Sequence, residues 1–249
     1  MFEGVQGKKV LITGSGSGMG SCIAELLGTY GAIIGIHYNF SKKNARLIRK
    51  KIRDSGGVAY ILQADLCNEN DRDKLIPEFI DQSKGIDVLI NNAGGVIGNH
   101  HFLEMDTASW NATIDLNLTA PFFLSQIAFR FMKEHGGGKI INISSIASKY
   151  GGSKMTTHYG AAKAGLDAVT RTLSREGAPY NILVNSIQPG VIDTPFHKKI
   201  GRASLDERVK KIPLQRAGST LDVARLCLFL ASECGDYITG QIYGVTGGD

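Results

Sequence analysis

The sequence predicts a doubly wound α/β domain: one parallel sheet of about seven strands with helices on both faces. Three observations carry this. Short β-branched runs alternate with helix-length amphipathic segments along the whole chain. The runs are apolar throughout rather than alternating with polar residues, the mark of strands buried on both faces. No Pro/Gly/Ser-rich tract or internal repeat breaks the pattern over 249 residues, so one domain spanning 1–249 is expected.

In chain order, the first strand is Val10-Leu11-Ile12-Thr13, followed by a helix over about 18–30. Ala32 to Ile36, Ala59 to Leu62 and Val88 to Asn91 give the next three strands, with helices over 41–55 and 69–84 between them. A single long helix over 108–135 leads to the strand Lys139 to Ile143, and a helix over 156–177 to the strand Ile182 to Asn185. A helix over 220–232 and a short strand near Gln241-Ile242-Tyr243 complete the set. Pro195 to Ser219 is the longest irregular stretch, which suggests a substrate lid.

Composition excludes several classes. The chain is 43% hydrophobic and 20% charged, which rules out disorder, and its 31 glycines have no three-residue period, which rules out collagen. No apolar run approaches the ~18 residues that span a bilayer. Met1 to Thr13 carries Glu3, Lys8 and Lys9 and reads as no secretory signal. Cys22, Cys67, Cys227 and Cys234 form no C-x-x-C or metal spacing, so no metal site and a reducing, cytoplasmic location are expected. The net charge of +5 is local: Leu26 to Arg53 holds seven basic residues and no acid, leaving the remainder at −2. Nucleic-acid binding is the reflex reading of such a patch, but no recognition motif accompanies it.

After the first strand comes Thr13-Gly14-Ser15-Gly16-Ser17-Gly18-Met19-Gly20, opening a helix. Glycines there let a pyrophosphate approach the backbone and meet the N–H groups of the helix N-terminus. Tyr159 and Lys163 lie one helical turn apart and share a face. An ammonium near a phenol favours the phenolate, so the tyrosine pKa is expected below its ordinary ~10. Such a tyrosine trades a proton with a substrate oxygen.

The spacing T-G-x-x-x-G-x-G resembles that of the short-chain dehydrogenase/reductase family. Asn91-Asn92-Ala93-Gly94, Asn117, Ser145, Tyr159-x-x-x-Lys163, Pro189-Gly190 and Thr194 follow in that family's order, from Lys8 to Gly248. The resemblance implies a Rossmann-type fold and a catalytic set of Asn117, Ser145, Tyr159 and Lys163. Ser145 would hydrogen-bond the reacting carbonyl, with Ser144 as its rival, and Asn117 would support a water leading to the lysine. Cofactor contacts carried over are Gly14, Ser17, Gly18, Met19 and Gly20 at the pyrophosphate, and Asp65 and Leu66 at the adenine. Asn91 and Gly94 would shape the floor beneath the adenine ribose, Lys163 would bond the nicotinamide ribose, and Thr194 with the Ile192 backbone would hold the carboxamide and pyrophosphate; Asn92, Ala93, Pro189 and Gly190 complete the cofactor contacts carried over. Capping of the next helix is an equal reading of Asp65.

Cofactor choice turns on the end of the second strand, where an NAD enzyme places an acid. Here Tyr38 stands at that position, followed by Asn39, Phe40, Ser41, Lys42 and Lys43. The absence of an acid favours NADP (as NADPH), with Asn39, Ser41 and a lysine toward the 2′-phosphate; Ser17 stands where many NADP-binding members carry Arg or Lys, and NAD is the alternative. Arg46 to Arg53 read as a solvated helix face. The ending Tyr237-Ile238-Thr239-Gly240-Gln241 with Gly247-Gly248 resembles the 3-oxoacyl-carrier-protein reductases, and Arg130 and Arg175 fall where those enzymes meet the acidic carrier. That implies an acyl-carrier-linked or small-molecule ketone as substrate. Sugar and polyol dehydrogenases share the framework, and a non-catalytic dinucleotide sensor is the alternative of a different class. The resemblance also implies a homotetramer, paired through the long helices 108–135 and 156–177.

Overall fold

The computed structural model describes residues 3–195 and 204–249. Seven parallel strands form one sheet in the order β3-β2-β1-β4-β5-β6-β7, with β1 at Lys9–Ile12, β2 at Ile33–Tyr38, β3 at Val58–Gln63, β4 at Val88–Asn91, β5 at Gly138–Ile143, β6 at Ile182–Pro189 and β7 at Ile242–Val245. The strands alternate their side chains between two apolar layers: Val10 and Ile12 enter one cluster and Leu11 the other. Helices α1 (Gly18–Thr29) and α2 (Lys42–Asp54) cover the first layer. α2 does so through Ala45, Ile48 and Ile52 alone, leaving its cations outward. There Lys50 pairs with Asp54 and Lys51 with Glu25 of α1, as a solvated face would. Helix α3 (Glu69–Ser83) covers the second layer, anchored by Phe79.

The single helix expected over 108–135 is instead three pieces: α4 (Thr107–Ile114), a π-helical turn at Asp115–Thr119, and α5 (Ala120–Glu134). One wide turn leaves the amphipathic pattern intact, which is why periodicity did not reveal it. A short α6 (Ala147–Tyr150) precedes α7 (Thr157–Gly177). The presumed irregular stretch before Ser219 holds a further short helix, α8 (Asp206–Val209); residues 196–203 of the expected lid lie outside the described residues. Ser219 and Asp222 then form a capping box that starts α9 (Thr220–Ala231), which closes the first layer beside α1. Leu124 and Leu166 are core residues, while Phe122, Phe123, Phe129 and Val169 keep partly open faces.

β1 and β4 are neighbours, so the strand order reverses between them. In open α/β sheets, the crevice beyond the carboxyl ends of the strands at such a point is where ligands bind.

Candidate active site

Four segments meet at that crevice. The β1–α1 turn is shaped by three groups. Thr13 Oγ1 accepts the backbone N–H of Asn92 and of Ala93 at 3.0 and 2.9 Å, clamping it to the end of β4. Asn92 Nδ2 donates to the Thr13 and Gly14 carbonyls at 2.8 and 3.2 Å. The Gly14 N–H donates to His37 Nδ1 at 2.9 Å, and Gly14 takes φ +63°, where a side chain would be strained and its Cβ would press on Ala93. Ser17 precedes α1 with no side-chain cap, and no acid lies in the first turn, so the N–H groups of Gly18, Met19 and Gly20 start a helix end that favours an anion.

His37 was not singled out from the sequence. It is 2% exposed, and its Nε2 lies 3.1 Å from the Ala64 carbonyl, so Nε2 carries the proton and Nδ1 is the acceptor. Burial holds its pKa down at about 4, against a smaller upward pull from the Ala64 carbonyl and Asp65. The ring therefore staples the glycine turn to the β3–α3 turn that carries Asp65 and Leu66.

Several expected contacts are corrected. Asn91 does not floor a ribose: it is buried beneath the sheet, where its Nδ2 donates to Ser125, Asn142 and Pro121. Asp65 does not cap α3; Asn68 does, accepting the Asp71 N–H, while Asp65 Oδ1 takes the Cys67 N–H. The side chains of Tyr38, Leu66 and Ile192 are core residues, which leaves only their backbone or edges toward the crevice. Thr194 reaches the Ile192 carbonyl, beyond Pro189 and Gly190 at the end of β6. Asn39, Ser41, Lys42 and Lys43 sit at the exposed start of α2, where Ser41 makes no side-chain cap and no acid lies in the first turn.

On the other side of the crevice stand the four polar residues of the catalytic motif. Asn117 is fully buried in the π turn; it donates to the Gly95 and Thr113 carbonyls at 2.7 and 2.8 Å and accepts the Gly95 N–H at 3.1 Å. A Cβ on Gly94 would fall 2.7 Å from Asn117 Oδ1 and 3.1 Å from Lys163 Nζ, so the glycine is required by close approach. Ser144 is turned away, donating to the Lys163 carbonyl, whereas Ser145 hydrogen-bonds the Tyr159 hydroxyl. Of the two serines, Ser145 is the one that meets Tyr159.

Lys163 is 2% exposed; its Nζ donates to the Ile143 carbonyl at 2.8 Å and lies 5.7 Å from the Tyr159 ring centroid. The expected lowering of the tyrosine pKa is not what the geometry gives. Burial pushes the half-buried Tyr159 phenol up to about 12, only partly opposed by Ser145, and pulls Lys163 down to about 8 against the attraction of Asp167. The ammonium donates to the Ile143 carbonyl and stands 5.7 Å from the ring centroid, and desolvation of the phenol prevails. Tyr159 is thereby set to hold its proton at neutral pH.

His100 and His101 are surface residues: His100 lies 3.7 Å from Asp106, and His101 accepts the Leu103 N–H. No group of three or more His, Cys, Asp or Glu side chains suited to a metal occurs among the described residues. No helix among them is long and apolar enough to cross a membrane.

Residues 14–249 match the family model described as enoyl-(acyl carrier protein) reductase. The 3-oxoacyl-[acyl-carrier-protein] reductase of Aquifex aeolicus is 36% identical over 245 residues, covering 98% of each chain. Among solved structures, a blue fluorescent protein from a metagenomic library, in complex with NADPH, superposes with a TM-score of 0.91 at 32% identity over 98% of both chains. A 7α-hydroxysteroid dehydrogenase complexed with NADH and 7-oxo glycochenodeoxycholic acid does so with 0.91 at 30% identity, over 98% of this chain and 94% of that one.

Proposed function

The chain belongs to the short-chain dehydrogenase/reductase family of oxidoreductases, and from that premise we propose that it reduces a ketone, of the 3-oxoacyl thioester class, to a secondary alcohol with NADPH. The observation that carries the reading is the meeting of Ser145 and a protonated Tyr159 in front of a buried Lys163, beside a glycine turn fit for a dinucleotide.

The residues fit such a cofactor. Gly14, Ser17, Gly18, Met19 and Gly20 offer an uncapped helix end to a pyrophosphate. Asn92, Ala93 and Gly94 adjoin that turn and would line the same site, with Asp65 toward the adenine. Pro189, Gly190, Ile192 and Thr194 lie at the nicotinamide end. Asn39, Ser41 and Lys42 or Lys43 face a 2′-phosphate where an NAD enzyme would place a carboxylate. When bound, the reduced nicotinamide supplies the hydride.

Ser145 and Tyr159 each offer a hydroxyl hydrogen to the substrate carbonyl, polarising it. Tyr159 then passes its proton to the oxygen as alkoxide charge develops. Tyr159, whose phenol burial pushes up, carries its proton at neutral pH and would start the reduction as the acid. Lys163 stands behind the ring to stabilise the phenolate that remains, and Asn117 fixes the Gly95 backbone beside it. Asp206, Glu207, Arg208, Lys210 and Lys211 belong to the lid we place at 195–219, whose residues 196–203 lie outside those described. Exposed Arg130 and Arg175 present positive charge to an acidic carrier, and pairing of the α4–α5 and α7 faces would give a homotetramer.

The test is a substrate screen on purified protein with both NADPH and NADH, including a 3-oxoacyl thioester, simple ketones and sugars. Turnover of the thioester with NADPH is expected, and Tyr159→Phe should lower kcat by about 10²–10⁴ with NADPH affinity unchanged. Sugar oxidation alone would favour the polyol dehydrogenase reading. Full activity of the variant would remove Tyr159 as the acid.

A further inference from the structure

The inner face of α7 carries a charge that the reaction as described does not use. Asp167 lies one turn beyond Lys163, on the same face, and is 4% exposed. Among the described residues it has no ion pair; its carboxylate is held by neutral donors, with Ser186 Oγ donating to Oδ1 at 2.9 Å and Gln188 Nε2 donating to Oδ2 at 2.8 Å. A buried carboxylate without a contacting cation is costly unless a nearby charge compensates it.

Its bonds lead to the serine. Gln188 Nε2 uses its second hydrogen on Ser148 Oγ at 2.6 Å, and Ser148 Oγ donates to the Ser145 carbonyl at 2.8 Å. The Ala147 N–H in turn donates to Ser145 Oγ at 3.1 Å. The path from Asp167 to Ser145 is thus continuous and each donor in it has an acceptor. Around Lys163, β5 contributes the Ile143 carbonyl, and the Gly94 side contributes Gly94 and Asn117. Tyr159 is the other titratable neighbour, and Asp167 is the charged side chain that acts on the ammonium.

We propose that Asp167 is a positioning residue for the reaction: it provides the counter-charge to the Lys163 ammonium and, through Gln188 and Ser148, fixes the backbone of Ser145. One carboxylate thereby acts on Lys163 through its charge and on Ser145 through its hydrogen bonds. The proposal rests on the roles given above to Ser145, Tyr159 and Lys163. In its support, burial alone draws Lys163 toward its neutral form, and Asp167 is what opposes that.

Two variants separate the arms. Asp167→Asn removes the charge, so the alkaline limb of the kcat/KM profile should move to lower pH by about one unit or more. The titration of Lys163, followed by NMR of 13C-labelled lysine, should move with it. Gln188→Leu cuts the arm to Ser145 and leaves the charge, so kcat should fall roughly tenfold with the limb in place. A purely structural Asp167 would lower the melting temperature and leave both the limb and the lysine titration where they are, and that result overturns the proposal. If Asp167→Asn does not fold, Asp167→Glu decides: the limb must stay at the wild-type position, and a moved limb refutes the counter-charge. The NMR titration needs no turnover, so it still decides the matter if the substrate class is wrong.

Discussion

At the scale of single residues, polar groups without charge organise much of the crevice, and one of them is buried within a strand. His37 shows why such a position matters. Its neutral Nε2–H form satisfies two turns at once: it donates to Ala64 and accepts from Gly14. Protonation would set an N–H against the Gly14 N–H, and burial of the ring holds the folded pKa at about 4. The sign of the linkage follows. Above the ordinary 6.5 neither folded nor unfolded chain binds the proton, and His37 adds no pH dependence. As pH falls from 6.5 toward 4, the unfolded chain takes up a proton that the folded one refuses, so stability is lost, by roughly 3 kcal/mol at the lower end. His37→Leu should therefore lower stability at pH 7.5, through the unpaired Gly14 N–H and Ala64 carbonyl, yet flatten the decline below pH 6.5. Urea unfolding between pH 4.5 and 7.5 measures both, and an unchanged acid slope would count against this account. Nothing in Ile36-His37-Tyr38 distinguished such a histidine from a solvent-facing one, because the strand run fixes which face a residue occupies only once its neighbours are placed.

At the scale of elements, the π turn is where secondary structure becomes site geometry. An α-helix continued through 115–119 would rotate Asn117 relative to α4; the wide turn puts it at Gly95, with its amide making three hydrogen bonds. Asn117→Ala would remove the side-chain partner of the half-buried Gly95 N–H and carbonyl, at a cost toward the lower end of about 1–3 kcal/mol. The expected result is faster hydrogen exchange at the Gly95 amide and a fall in kcat larger than any change in KM; retained protection at Gly95 would contradict it. The contrast with the strands explains what was legible. Val10-Leu11-Ile12 or Lys139 to Ile143 announce buried parallel strands because burial on both faces demands continuous apolar runs. Spacing alone placed Tyr159 and Lys163 on one face. A π turn changes the hydrogen-bond register and hardly the hydrophobic pattern, and whether the lysine or the desolvation governs the phenol depends on where Nζ finds its acceptor, which here is a strand carbonyl twenty residues away in the chain.

At the scale of the whole molecule, the groups proposed to face the cofactor come from segments far apart in sequence: the glycine turn, the start of α2, the Asp65 turn, the end of β4 and the end of β6. They are joined by long-range bonds such as Thr13 to Ala93 and Gly14 to His37. A ligand that bridges them binds only the folded chain, so it stabilises the domain by mass action, about 2.7 kcal/mol at a hundredfold excess over Kd. For a domain of this size that corresponds to a rise in melting temperature of roughly 5–10 °C. The charge distribution bears on the proposed preference for NADPH. With seven basic residues and no acid between Leu26 and Arg53, and with the start of α2 free of acids, a 2′-phosphate gains attraction that a bare hydroxyl does not. NADPH should thus raise the melting temperature more than NADH at equal concentration. Reversing charge in Lys42→Glu/Lys43→Glu should shrink the NADPH shift while leaving the NADH shift in place, since both residues are exposed and carry no core contact. Equal shifts from the two cofactors with the wild-type protein would place the basic patch outside cofactor selection and return it to the role of a solvated helix face.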